Sequence, residues 1–263
     1  MKNRDLKKIL DKLYNKYSHK FSSKDPVWIL HGFSDEKDIE TAGLITSCYT
    51  YGQVDQINRF IHRFLESVNH KVHEFTSNYS EQKDKKYLKN LYYRFNSADD
   101  LSLLIKNIRL CIEESGSLKN VFLNKYRQED KNILNALKHF TASLNRLKSD
   151  KRSYRYLIPS PEDNSACKRL NLYLRWMIRK DETDTGIWGD KADKSKLIMP
   201  VDTHIYRIST RLGLVKRKSC DMKFALELTE KLRTFDKNDP VKYDFALCHT
   251  GIEKEIDSYL SNG

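Results

Sequence analysis

Apolar residues recur three and four positions apart along nearly the whole chain, and this spacing constrains the fold more than any other feature of the sequence. Nine glycines and five prolines in 263 residues leave few breaks, so the pattern predicts helices rather than strands. Leu6, Ile9, Leu10, Leu13 and Tyr14 form a first stripe. Ile39, Ala42, Gly43, Ile45 and Thr46 belong to a largely apolar helix starting after Ser34-Asp35, and Val54, Ile57, Phe60, Ile61 and Phe64 to the next. Ser97-Ala98-Asp99-Asp100 reads as a capping segment for a helix through Leu103, Ile105, Ile108 and Cys111. Ile133, Leu134, Leu137, Phe140 and Leu144 give another amphipathic face. The clearest break is 156–165, with Pro159 and Pro161, followed by a helix from about 165 to 180. Beyond a polar loop, helices are expected over 202–212, stopped by Gly213, and over 220–235. Asp239-Pro240 suits the N-cap and first turn of a last buried helix over 241–250. The expected fold class is all-α.

The charge balance points to a partner. Forty-eight Lys and Arg against 36 Asp and Glu leave +12, which favours a polyanion, although a lysine-rich solvated surface gives the same balance. Cys48, Cys111, Cys167, Cys220 and Cys248 are odd in number and contain no C-x-x-C pair, so neither a disulfide framework nor a zinc site is expected, and a reducing cytoplasm fits. The first 20 residues alternate Lys with apolar residues and lack the apolar run and cleavage site of a signal peptide. No segment approaches the roughly 20 apolar residues of a membrane span. The expectation is a cytoplasmic monomer with no metal and no membrane association.

Two residues are candidates for chemistry. Asp202 opens a helix, where Asp is among the best N-caps. Lys168 lies 34 positions earlier (202 − 168) on a strongly apolar helix with Arg169, a second cation, beside it. The run Met199-Pro200-Val201-Asp202-Thr203-His204-Ile205-Tyr206-Arg207 resembles the catalytic aspartate segment of the endonuclease III branch of the helix-hairpin-helix DNA glycosylases, commonly V-D-T-H followed by an apolar pair and Arg. The resemblance implies that the Asp202 carboxylate stabilises positive charge developing on the sugar as an N-glycosidic bond breaks. It also implies that Lys168 attacks C1′ through a Schiff base, which requires a neutral amine and hence a pKa below the usual value of about 10.4. Taken alone, Asp202 is a cap and Lys168 a solvated charge; the surrounding motif favours the catalytic roles, and cap and catalyst can coexist.

The stretch from Cys167 to Asp181, then Asp184-Thr185-Gly186-Ile187-Trp188, the Asp202 motif and Asp239-Pro240-Val241-Lys242-Tyr243-Asp244-Phe245-Ala246-Leu247 together resemble a bacterial family long carried as a domain of unknown function, a distant branch of the same superfamily. The implied fold is a two-lobed helix-hairpin-helix glycosylase-like unit spanning 1–263, the N- and C-terminal segments sharing one lobe and 165–213 forming the catalytic helix-loop-helix segment. The long Lys-to-Asp gap is similar to that of the archaeal 8-oxoguanine glycosylases, and the four-cysteine iron–sulfur cluster of endonuclease III is not expected. Where the superfamily's hairpin has Gly-x-Gly, this chain has Pro159-Ser160-Pro161-Glu162-Asp163-Asn164-Ser165, without glycine.

Asp184, Trp188, Tyr51 and Gln53 are candidates for the pocket of an extruded base. Asn164, Ser165, Arg169 and Arg175 are candidates for contacts to the DNA backbone, with the start of the Ser165 helix offering N–H groups to a phosphate. Trp176 and Tyr173 are expected in the core, and His204 is expected as a structural hydrogen-bonder. The expected function is a DNA repair glycosylase on damaged duplex DNA, cleaving the glycosidic bond either by hydrolysis alone or through Lys168, the latter with an AP lyase step. The alternatives are a non-catalytic DNA-binding protein on the same scaffold and a helical interaction module with no nucleic-acid role.

Overall fold

The computed structural model of the protein describes residues 3–19 and 24–248; these are helical, with no strand and two isolated bridges. In chain order the α-helices are α1 (Asn3–Tyr17), α2 (Glu36–Cys48), α3 (Val54–Ser67), α4 (Val72–Ser77), α5 (Glu81–Leu88), α6 (Ala98–Ser115), α7 (Leu118–Leu123), α8 (Leu134–Leu144), α9 (Arg152–Leu157), α10 (Lys168–Ile178), α11 (Thr203–Arg211), α12 (Met222–Arg233) and α13 (Asp244–Cys248). A 3-10 turn over Pro26–Gly32 precedes α2. None of these helices is long and apolar enough to cross a membrane.

Side-chain caps set several of the boundaries. Asp35 accepts from the Lys37 amide at the start of α2, and Asp221 accepts from that of Phe224 at α12. Ser97 and Asp100 form a reciprocal capping box at α6, so two amides that the helix itself leaves without partners are satisfied. Gly213, at φ 67°, follows α11 as its stop.

The centre of the molecule is the pair α2 and α10, both enclosed almost all round: 39–48 are buried on α2 and 169–178 on α10. Gly43 allows their close approach, since a Cβ there would stand 3.0 Å from Met177 Cε and 3.4 Å from the Tyr173 ring. A helix that is apolar on every side is stable only inside others, and α4, α6, α7 and α8 supply the surrounding layer. Fully burying side chains the size of Leu174 or Met177 contributes roughly 1.5–3 kcal/mol each. Helices α1 and α11 both pack on α13, and Tyr243 of the segment before α13 donates to Asp11 Oδ1 at 2.7 Å.

Two boundaries differ from the sequence expectation. Helix α10 begins at Lys168 rather than near 165, because Cys167 takes a left-handed φ of 47° and breaks the helix there. Residues 239–243 are not helical: Asp239 does not cap α13 but accepts from Arg179 Nε at 2.9 Å, and α13 starts at Asp244. The expected end of that helix at Thr250 lies outside the described residues.

Candidate active-site cavity

Two helix starts meet at a cavity of about 680 Å³. Its wall comes from the residues that follow α2 (Thr50, Tyr51, Gly52), from Arg155 and Tyr156 of α9, from Pro159 and 165–169, from 201–204, and from Cys220. Lys168 and Asp202, distant in sequence, therefore line one space, together with Tyr51 and Ser165. A slightly larger depression, about 770 Å³, is lined by Lys119, Lys180, Lys191, Lys194 and the loop around Gly186, and brings none of the candidate residues together.

Asp202 is the N-cap of α11. Its Oδ1 accepts from the amides of His204 and Ile205, each at 2.9 Å, while Oδ2 accepts no hydrogen bond among the described residues. One oxygen thus serves the helix, and Asp202 lines the cavity. Lys168 is half-buried and donates from Nζ to the Thr50 carbonyl at 3.3 Å; it makes no ion pair among the described residues. No side chain caps the first turn of α10, so its leading amides keep their capacity to donate.

The segment 159–165 turns into α10 through a short 3-10 turn, Pro161–Asp163, closed by a left-handed residue. Asn164 adopts φ 58°, the left-handed conformation that a glycine would supply and that Asn tolerates better than most residues. It is exposed, next to Ser165, whose Oγ accepts from the Cys167 amide at 3.1 Å and so fixes the turn into α10.

Arg169 and Arg175 do not present charge to a DNA backbone. Arg169 is buried, its guanidinium 4.1 Å from the centroid of Tyr156 and 5.5 Å from that of Tyr51, and it donates to the Tyr156 and Cys48 carbonyls. Arg175 is buried between Asp184, which accepts at 2.9 Å from Nη2, and Asp244. Arg179 extends the same network to Asp184 at 2.8 Å and to Asp239.

Asp184 and Trp188 lie in the core, each about 1% exposed, and neither lines the cavity. Their loop folds back on the end of α10: the Gly186 amide donates to the Trp176 carbonyl at 2.9 Å and the Trp188 amide to the Met177 carbonyl at 2.7 Å. Carbonyls that the helix leaves open are thereby satisfied. Gly186 is required for this return, because at φ 61° a Cβ there would stand 2.4 Å from Lys180 Cβ. Trp188 donates from Nε1 to Glu40 at 3.0 Å and packs on Phe122 and Tyr173. Trp176 and Tyr173 are core residues as expected. Gln53 is exposed at the start of α3, outside the cavity wall, and His204 is exposed on that wall.

Two carboxylates that the sequence pattern did not single out share the electrostatics of the site. Burial pushes Asp244 up to about 6; Arg175 opposes the rise, Asp202 adds to it and Lys168 opposes it, so both candidate catalytic charges act on this carboxyl. Asp25, before the 3-10 turn, is also raised by loss of solvent, against the Val27 amide and the charges of Arg175 and Lys168. The one sequence signal for Asp244 is its charge within the otherwise apolar run 243–247. The cysteines are all free, and among the described residues no group of three or more His, Cys, Asp or Glu is arranged to hold a metal ion.

A family model described as a protein of unknown function, DUF2400, matches residues 25–253. No curated protein and no solved structure matches the chain. The match covers both walls of the cavity and the helices that carry Lys168 and Asp202, and the chain belongs to the DUF2400 family.

Proposed function

We propose that this protein is a DNA repair glycosylase with an accompanying AP lyase step, a two-lobed helix-hairpin-helix glycosylase-like enzyme acting as a cytoplasmic monomer on damaged duplex DNA. The observation that carries the reading is the meeting of Lys168 and Asp202 in one cavity, with Asp202 holding its helix by one oxygen only. The damaged base leaves with the electrons of the bond to C1′, and the carboxylate of Asp202 stabilises the positive charge left on the sugar. The Lys168 amine, neutral when it attacks, forms the new bond to C1′. The C1′–O4′ bond then breaks, O4′ taking a proton released from the attached nitrogen as the imine forms; the C2′ proton passes to water and the C3′–O bond breaks, expelling the 3′ phosphate. The net charge of +12 and Arg155 on the cavity wall support a polyanionic substrate.

A second reading, a non-catalytic DNA-binding protein on the same scaffold, is favoured by the uncapped amides at the start of α10, which serve a phosphate without any turnover. Borohydride trapping on duplexes carrying 8-oxoguanine, uracil, an oxidised pyrimidine or an abasic site separates the two. The glycosylase–lyase reading expects a covalent adduct with the wild type, none with Lys168→Gln, and base excision lost in Asp202→Asn, where an amide still caps α11. Salt-sensitive binding to every duplex with no adduct and no excision leaves the second reading. An adduct that persists in Lys168→Gln removes Lys168 as the nucleophile.

A further inference from the structure

Beside the cavity the chain makes a tight turn that holds aromatic rings and an arginine in solvent. Tyr93 and Asn96 pair through their backbones, each amide donating to the other's carbonyl at 2.9 Å, and both side chains are buried anchors. Tyr93 Oη donates to the Tyr51 carbonyl; Asn96 donates from Nδ2 to the Ser153 carbonyl at 2.8 Å and accepts from Tyr51 Oη. Between them Arg94 stands at φ 55°, a left-handed conformation that an arginine holds only under constraint. The turn rests on the cavity wall: a Cβ on Gly52 would lie 2.6 Å from the Arg94 guanidinium and 3.0 Å from Tyr93 Oη.

The anchoring leaves Tyr92 70%, Phe95 52% and Tyr156 43% exposed. Phe95 stacks on Tyr51 at 5.5 Å and meets Tyr156 edge-on at 5.1 Å, and both tyrosines also line the cavity. Arg169 braces the pair from inside, over both rings. The sequence around these rings is basic: 85–95 contains Lys85, Lys86, Lys89 and Arg94 and no acid, and 151–161 contains Lys151, Arg152 and Arg155 and no acid. Isolated exposed apolar side chains are ordinary, but Phe95, Tyr51 and Tyr156 form a contiguous cluster of rings, with the exposed Tyr92 on the same turn, and such a cluster points to a ligand. Flat apolar faces set among cations complement unpaired bases on a phosphate backbone.

We propose that Tyr92, Phe95 and Tyr156 form a stacking platform for unpaired nucleobases of a DNA strand at the mouth of the cavity, with Arg94 and Arg155 taking phosphates. The platform rests on the nucleic-acid part of the reading above and needs no catalysis. Its test uses an undamaged single-stranded oligonucleotide carrying 2-aminopurine, with a blunt duplex of the same sequence for comparison. The wild type is expected to bind the single strand more tightly than the duplex and to quench the 2-aminopurine. Tyr92→Ala combined with Phe95→Ala should weaken single-strand binding by about tenfold per ring and abolish quenching, with the helical fold retained by circular dichroism. Phe95→Leu, which keeps an apolar side chain but no ring, should lose most of the quenching as well. Unchanged affinity and quenching in the double variant overturn the platform even where Lys168 is trapped. Ring-dependent strand binding without any adduct keeps the platform and removes the catalytic reading. Absence of all nucleic-acid binding removes both.

Discussion

Helix α10 carries cations at both ends, and the protein treats them in opposite ways. At its last turns Arg175 and Arg179 are sealed among Asp184, Asp239 and Asp244, and the returning loop closes the carbonyls over them. At its first turn Lys168 is half-buried beside a cavity, held by one carbonyl, and no side chain caps the helix. Buried cations are tolerated only when paired and hydrogen-bonded, so the closed end accounts for its charges as structure. The open end lacks such an account. The difference separates arginines held by carboxylates from a lysine that makes no ion pair among the described residues.

Four measurements break or sharpen this contrast, the largest effect first. Trp188→Ala should destabilise the protein by about 5 kcal/mol in urea unfolding, because it empties a core site and takes from the buried Glu40 one of its three donors, leaving the amides of Leu118 and Lys119. A small loss would return Trp188 to the ligand-facing side of the comparison. Arg175→Met should cost about 4 kcal/mol, since Asp244 loses the guanidinium it shares and Asp184 keeps only Arg179. A near-neutral outcome would mean that the closed end is not held by its ion pairs.

The third measurement is a pH dependence. Asp244 is raised in the folded protein to about 6 from 3.8, so its contribution to stability is complete below the unfolded value and is lost as pH rises through about 6. Between about pH 4 and about pH 7 the wild type should lose on the order of 2 kcal/mol that Asp244→Asn, which does not ionise, retains. Parallel pH profiles for the two proteins would show that Asp244 does not titrate in this window. The smallest effect is expected at the open end, where Lys168→Gln should change unfolding by less than about 0.5 kcal/mol while removing the borohydride adduct. A destabilisation as large as that of Arg175→Met would make Lys168 structural and erase the contrast.

Much of the closed scaffold was legible in the sequence because local signals set it. Asp35, Ser97 and Asp202 cap the helices that their positions predict, and the stripes of α1, α3 and α8 read directly as core faces. Helices α4, α7 and α9 are six residues each, too short to display a helical period. The start of α10 depends on one left-handed residue, Cys167, which composition does not announce. At the cavity, Lys168, Asp202, Tyr51 and Ser165 line one space; the resemblance brought these residues forward, while neither periodicity nor spacing joins positions so far apart in the chain. Asp184 and Trp188 did not, because their burial is set by Arg175 and Glu40, partners that a local reading of a polar loop does not supply. The rings of 92–95 and 156 were not singled out by the sequence pattern, because they lie in turns and a short helix where helical periodicity gives no signal.

The burial of three cysteines gives the molecule a built-in reporter position. Cys48, Cys111 and Cys167 are enclosed, and loss of solvent pushes each thiol up to about 12, so their reactive thiolates are scarce at neutral pH. Cys220 is exposed and stands on the cavity wall. Once the other exposed thiol, Cys248, is replaced, a maleimide dye directed to Cys220 sits on the cavity wall, in reach of whatever enters there. Occupancy of the cavity then becomes an optical signal, readable on native protein with no catalytic turnover.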